Sequence, residues 1–299
     1  MRRWWRDLTD LVLPTECGGC GRPRTVLCPR CRAALDRAAP GRVRPDPAPR
    51  GLPPVHAAAP YADEVRAALL AHKERGALSL AGPLGAALAG AVRSGLRAAG
   101  SRDPVRGGIR PVLLVPVPSA RGAVRARGHD PVRRIALAAA GELRRSGLPA
   151  RTLTVLRQRR AVADQSALGS RQRQANLAGA LRTVPGGGPL LLEGPVVLVD
   201  DLMTTGASLT EAARAVRSAV YTARVREGME ERKPVTRRKE GNPLYGTSEL
   251  ADAGGSGDVI CAAVVAAPPD SFEIDGTDSG DASLQVMTGS IHLDGGTPR

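Results

Sequence analysis

The residues best suited to chemistry stand together in Val196-Val197-Leu198-Val199-Asp200-Asp201-Leu202-Met203-Thr204-Thr205-Gly206-Ala207-Ser208, where an apolar run delivers two adjacent carboxylates into a small-residue turn. Ionised carboxylates only accept hydrogen bonds, so Asp200 and Asp201 suit the vicinal hydroxyls of a pentose or a hydrated metal ion and cannot hold a phosphate directly. Thr204, Thr205 and Ser208 can donate, and Gly206 lets the backbone approach an anion closely. With Ala207 they form the loop ahead of a helix predicted over 209–217, whose unpaired N–H groups and dipole seat a phosphate. The run reads as a sugar-phosphate site; the plainer alternative is a strand, an Asx-rich turn and an ordinary helix cap.

The elements that must position these groups follow from pattern. Four consecutive apolar residues, Val196 to Val199, fit a strand buried on both faces of a parallel sheet. The acids then fall at its C-terminal end, where open α/β sheets bind ligands. Pro111 to Pro118 reads as a second buried strand closed by prolines, so the turn Pro118-Ser119-Ala120-Arg121 shares that sheet edge and offers Ser119 and Arg121 to a second anion. Helices are predicted over 61–74, 79–99 and from Asp130-Pro131 to about Arg145, the last with an N-cap and a first-position proline. A candidate edge strand covers 152–156, and a further strand covers 258–265.

Cys17-Gly-Gly-Cys20 and Cys28-Pro-Arg-Cys31 are two C-x-x-C knuckles seven residues apart, the pattern of a zinc ribbon. Four thiolates close a tetrahedral site, so the Zn2+ is structural and supplies folding energy to a segment with few apolar residues. Two disulfides or a redox pair are the alternative, disfavoured by the lack of an export signal. Cys261, alone in an apolar strand, reads as a small core residue.

Lys plus Arg number 43 against 29 acids, and only Lys73, Lys233 and Lys239 are lysine. Residues 121–182 hold fourteen Arg against Asp130, Glu142 and Asp164, a field that would draw a highly charged anion. The six aromatics include none between 62 and 220, so the basic centre lacks the stacking platforms of single-strand binders. No apolar run reaches the roughly 18 residues of a spanning helix. Met1-Arg-Arg-Trp-Trp-Arg6 is broken by Asp7, Asp10 and Pro14, which reads as a short amphipathic helix of a cytoplasmic protein rather than a signal peptide.

The run from Val196 to Ser208 resembles the phosphoribosyl pyrophosphate (PRPP) signature of type I phosphoribosyltransferases. Together with the Cys17 to Cys31 ribbon, Lys73 after a helix, Val115-Pro-Val-Pro118 with Arg121, Arg127-Gly128, Gln165, Leu168, Arg173, Asn176 and Leu177-Ala-Gly-Ala180, it makes the chain similar to the ComF family of bacterial phosphoribosyltransferase-like proteins. The family commonly has Phe-Asn-Gln after Arg-Gly, where this chain has His129-Asp130-Pro131. The resemblance, over roughly residues 10–269, implies a Rossmann-like parallel sheet preceded by a small zinc ribbon. It implies PRPP binding with Mg2+ by Asp200, Asp201, Thr204 to Ser208, Ser119 and Lys73, with Arg121 stabilising the leaving pyrophosphate. Gln165, Arg173 and Asn176 would belong to a hood that selects a nitrogen acceptor. A second reading stays open: a non-enzymatic competence or DNA-uptake factor that holds single-stranded DNA or a helicase partner through the ribbon and the Arg-rich surface.

The expected organisation is a ribbon with an N-terminal helix over 1–50, a phosphoribosyltransferase-like domain over 51–269 and an acidic disordered tail over 270–299. The stretch from Pro40 to Pro54 is expected to be a linker or an irregular crossing. Residues 220–257 depart from the surrounding composition, holding two of three lysines, two of three tyrosines and one of two asparagines, and read as an exposed insertion.

Overall fold

The computed structural model describes residues 16–36, 39–100, 110–159, 177–226 and 259–273. In chain order the elements are α1 (Pro29–Asp36), β1 (Gly41–Val43), β2 (Val55–Pro60), α2 (Asp63–Glu74), α3 (Ala81–Ala98), β3 (Val112–Pro116), α4 (Arg121–Arg127), α5 (Pro131–Arg145), β4 (Ala150–Thr152), β5 (Leu156–Gln158), β6 (Leu181–Thr183), α6 (Gly187–Leu191), β7 (Val196–Leu202), α7 (Ala207–Arg226) and β8 (Val259–Ala267). The main sheet has the order β1-β2-β8-β7-β3-β4, parallel throughout except for the antiparallel edge strand β1. The chain is therefore α/β with a mostly parallel mixed sheet, and β7 lies centrally in it.

Side-chain alternation divides the core. Val196 and Leu198 pack with Leu209, Ala212, Ala213 and Val216 of α7 on one face. Val197 and Val199 pack with α3 and α5 on the other. Burying each of the Val and Leu side chains contributes about 1.5–3 kcal/mol, which fixes the register of β7 and hence the position of the acids that end it. Helices α3 and α5 approach closely because position 85 is glycine: a Cβ there would sit 2.4 Å from the Cβ of Ala138.

Several expectations change at the edges. Gly41–Val43, inside the stretch expected to be a linker, forms β1, and Val43 makes a bridge with Phe272, so residues 269–273 also pack on the sheet. The candidate strand at 152–156 is two short strands in different sheets, because the chain leaves β4 for an antiparallel pairing of β5 with β6. Helix α7 starts at Ala207 and runs to Arg226, so residues 220–226 of the expected insertion are helical. The remainder of that insertion, the N-terminal helix and residues 274–299 lie outside the described residues, as do Gln165, Arg173 and Asn176.

The cysteine module is not a separate body. Cys17, Leu27, Cys28, Cys31 and Leu35 belong to the same buried cluster as Ala58, Val65, Leu80 and Leu84. Arg30 and Glu64 tie it to α2 at 2.7 Å. No helix among the described residues is long and apolar enough to cross a membrane.

Candidate functional site

Asp200 and Asp201 end the central strand, and the period of two sends them to different sides. Asp201 follows the face of Val197 and Val199 and meets α2, where Lys73 Nζ lies 3.0 Å from Asp201 Oδ2. Asp200 takes the side of α7, and its Oδ1 accepts the backbone N–H of Asp201 at 2.8 Å. Burial and the adjacent charge of Asp201 push the Asp200 carboxyl well above the ordinary carboxylate range. Burial acts against the charged form of Lys73, but Asp201 and Asp200 outweigh it and raise the ammonium above its ordinary value. The two acids thus have unequal environments: one is paired with a cation and the other holds its proton more readily.

The next loop keeps the expected residues together. Thr204 is exposed, Thr205 and Ser208 are half-buried, and Gly206 and Ala207 are buried. Gly206 has φ +72°, a left-handed conformation that L side chains rarely adopt, and a Cβ there would lie 3.0 Å from Leu52. The stretch expected to be a linker therefore passes over the outside of this loop, with Arg217 Nη2 donating to Gly51 O at 3.1 Å.

The exit of β3 is the neighbouring rim. Val117 N–H donates to Val199 O at 2.9 Å, which sets the turn carrying Ser119 and Arg121 beside the strand end that carries the acids. Ser119 Oγ lies 3.4 Å from Asp130 Oδ1, and Arg121 is exposed at the start of α4. Ser119 and Arg121 line an open cleft of ≈ 450 Å³ with Arg125, Arg133, Thr154 and Arg157. Asp200, Asp201, Lys73 and the Thr204–Ser208 loop are not among the residues of that cleft.

Three features escaped the sequence reading. His72 is fully buried, with Nδ1 3.3 Å from Ala77 O and Nε2 3.4 Å from Pro131 O. His129 packs edge-on to it at 5.8 Å between ring centres, with its own nitrogens 3.1 Å from Arg127 O and 3.2 Å from His72 O. The departure from Phe-Asn-Gln has a local reason. His129 supplies a buried ring, Asp130 caps α5 by accepting Arg133 N–H at 3.2 Å, and Pro131 starts that helix. The pair clamps the end of α2, and so Lys73, to the turn after α4, reinforced by Arg127 donating to both oxygens of Glu74 at 2.9 and 2.7 Å.

Burial holds His72 below its ordinary value, outweighing the carbonyls of Ala77 and Pro131. The stabilisation from this neutral ring is fully present above about pH 6.5 and is lost as pH falls toward the lower folded value, since the unfolded chain binds the proton first. Asp200 carries the opposite sign, because its raised carboxyl takes up a proton more readily in the folded protein. Thermal melts between about pH 8 and about pH 5 should therefore be compared in pairs: His72→Gln should lose less stability on acidification than the wild type. Parallel curves would show that His72 carries no such linkage.

Glu211 and Arg214 are the second missed feature. Glu211, buried on α7, accepts the backbone N–H of Leu181 at 2.9 Å, and Arg214 Nη2 donates to Leu181 O at 3.0 Å. Burial pushes Glu211 upward, but its bonds from Arg214 and Leu181 outweigh this and hold it below its ordinary value. The two anchor the β5–β6 pair to the helix that carries the Thr204–Ser208 loop. Glu-x-x-Arg on one helix turn was the available signal, hidden among the chain's many arginines. The third is the set Arg125, Arg133 and Arg157, which only the fold collects.

No protein-family model matches this chain, and no curated protein matches it. Its chemistry is therefore read from its own residues.

The ligating atoms of Cys17, Cys20, Cys28 and Cys31 all lie within 4.8 Å of one another, a spacing at which four thiolates can bind a metal such as zinc. Burial pushes Cys17 upward, but the backbone N–H groups of Cys20, Cys28 and Gly19 outweigh it and bring the thiol down to about 6. The Cys31 N–H lowers Cys28, while burial and the neighbouring thiols raise Cys31. Thiolates packed this closely repel one another, and a divalent cation relieves that repulsion. Cys261 is fully buried and its thiol is pushed up to about 12 by burial, in keeping with a core role.

Proposed function

We propose that this chain is a ComF-like protein of the phosphoribosyltransferase family that binds PRPP with Mg2+ and transfers phosphoribose to a nitrogen nucleophile, with a structural Zn2+ in its ribbon. The observation that carries the reading is the pairing of Asp200-Asp201 at the C-terminal end of a central parallel strand with the left-handed Gly206 turn that opens α7. Backbone N–H groups of Thr205 to Ser208 and the hydroxyls of Thr204, Thr205 and Ser208 would hold the 5′-phosphate. The acids would accept the ribose hydroxyls, and Lys73, at 3.0 Å from Asp201, would orient that carboxylate.

The oxygen-only donors of the acid pair suit a hard cation, and Asp200 and Asp201 would hold it. Bound Mg2+ would supply charge neutralisation to the pyrophosphate. In the reaction the bond from C1 to the pyrophosphate oxygen breaks while the bond from C1 to the acceptor nitrogen forms. The proton released from nitrogen has a candidate acceptor in Asp200, whose carboxyl binds protons more readily than usual. Arg121 and Ser119 would meet the departing pyrophosphate, so the rate would come from positioning and charge stabilisation.

The test is pyrophosphate release from PRPP and Mg2+ by the full chain, against a panel of purine, pyrimidine and pyridine nitrogen nucleophiles. Release that requires one acceptor is the expected result. Absence of release together with no calorimetric binding of PRPP would overturn the reading, and tight single-stranded DNA binding in that protein, weakening steeply with salt, would favour the non-enzymatic one.

A further inference from the structure

The open cleft beyond β3 carries more positive charge than the proposed PRPP site uses, which draws only on Arg121 and Ser119 of its wall. Its walls come from the exit of β3, from α4, from the start of α5 and from Thr154 to Gln158. Four arginines line it, Arg121, Arg125, Arg133 and Arg157, and all four are exposed. Among the described residues none of the four has a carboxylate within salt-bridge distance, whereas Arg30, Arg42, Arg127, Arg145, Arg151 and Arg214 each do. The one acid in the wall, Asp130, accepts from the cap of α5 and from Ser119 through Oδ1 and offsets only one of the four positive charges. Like charges held on a concave wall repel one another and focus a positive field into the space between them, an arrangement that costs stability unless an anion visits it. Guanidinium forks match the planar or tetrahedral oxygens of carboxylate and phosphate.

The volume, ≈ 450 Å³, is that of a small-molecule site. Among the described residues no aromatic lines it, so these walls offer no stacking surface of the kind a nucleic-acid strand would use. Leu156, Arg157 and Gln158 of β5 form one wall of the cleft. We infer that Arg125, Arg133 and Arg157 bind a carboxylate or phosphate group of a small acceptor molecule, which makes the nitrogen nucleophile of this protein an anionic one. The word acceptor rests on the transferase reading; the anion site itself does not.

The experiment separates the two. Calorimetric titrations of the full zinc-loaded chain without Mg2+ would use phthalate as the carboxylate probe and inorganic phosphate as the phosphate probe, at constant ionic strength. Wild type and the double variant Thr204→Ala with Ser208→Ala should bind the preferred probe equally, while Arg125→Ala with Arg157→Ala should bind it at least ten-fold more weakly. Arg125→Lys with Arg157→Lys should fall between them, because the charge stays and the fork is lost. Near-equal melting temperatures establish that the variants are folded. No binding of either probe, or affinity unchanged in the Arg125/Arg157 variant, would overturn the site. Probe binding lost in the Thr204/Ser208 variant instead would also overturn it, by placing the anion at the other rim. PRPP with Mg2+ titrated into the same proteins tests the transferase reading alone: its failure there, with phthalate or phosphate still bound through the arginines, leaves the anion site standing and removes the name acceptor.

Discussion

Replacing Asp200 and Asp201 together by asparagine should abolish PRPP binding while the protein stays folded. The shapes are retained and the charges are lost. An amide keeps one acceptor oxygen but presents donors where the ribose hydroxyls need acceptors, and it cannot attract the cation that travels with pyrophosphate. Each lost hydrogen bond to a charged group costs about 1.5–3 kcal/mol, so two imply a fall in affinity of two orders of magnitude or more. The fold should tolerate the change. The Asp200 carboxyl is already pushed toward its neutral form, and Lys73, released from Asp201, is partly exposed and can reach water. Calorimetric titration of PRPP with Mg2+ into wild type and variant, next to their melting curves, measures both halves of the expectation. Equal affinities would remove the acids from the site.

Stripping the metal should have the largest effect on stability. In a free-standing ribbon the loss would stay local, but here Cys28, Cys31 and Leu35 are packed into the core formed by Ala58, Val65, Leu80 and Leu84. A Cβ at Gly18 would lie 2.5 Å from Leu80, a measure of how closely the first knuckle is seated on the sheet domain. Structural zinc contributes about 10–16 kcal/mol to small zinc domains, and if a quarter of that is coupled to the main core the melting temperature should fall by on the order of ten degrees. Treatment with a strong chelator, and separately Cys28→Ser, should give that shift, with one equivalent of zinc released in the first case. A chelated protein that melts at the same temperature would show that the four thiols hold no metal needed by the fold.

What the sequence made legible is what local pattern dictates. The strand of Val196 to Val199, the turn after the acids, the cap at Asp130 and the knuckles of the ribbon each follow from a few adjacent residues, and all are found. The pairing of Lys73 with Asp201 spans more than a hundred residues and depends on α2 meeting the far side of β7, which no local signal carries. The same is true of His72 with His129, whose nitrogens face carbonyls from other parts of the chain. Residues 40–54 mislead for a different reason. Proline and glycine suggested a free connection, whereas a three-residue strand needs only one neighbour with open hydrogen bonds, and β2 provides it.

The grip of Glu211 and Arg214 on both backbone groups of Leu181 has a mechanical meaning. The β5–β6 strand pair is bolted to the same rigid rod whose first turn is the proposed phosphate seat. A molecule that settles the seat therefore stiffens the pair, and slowed deuterium uptake at the Leu181 amide would report occupancy more than twenty residues away along the chain.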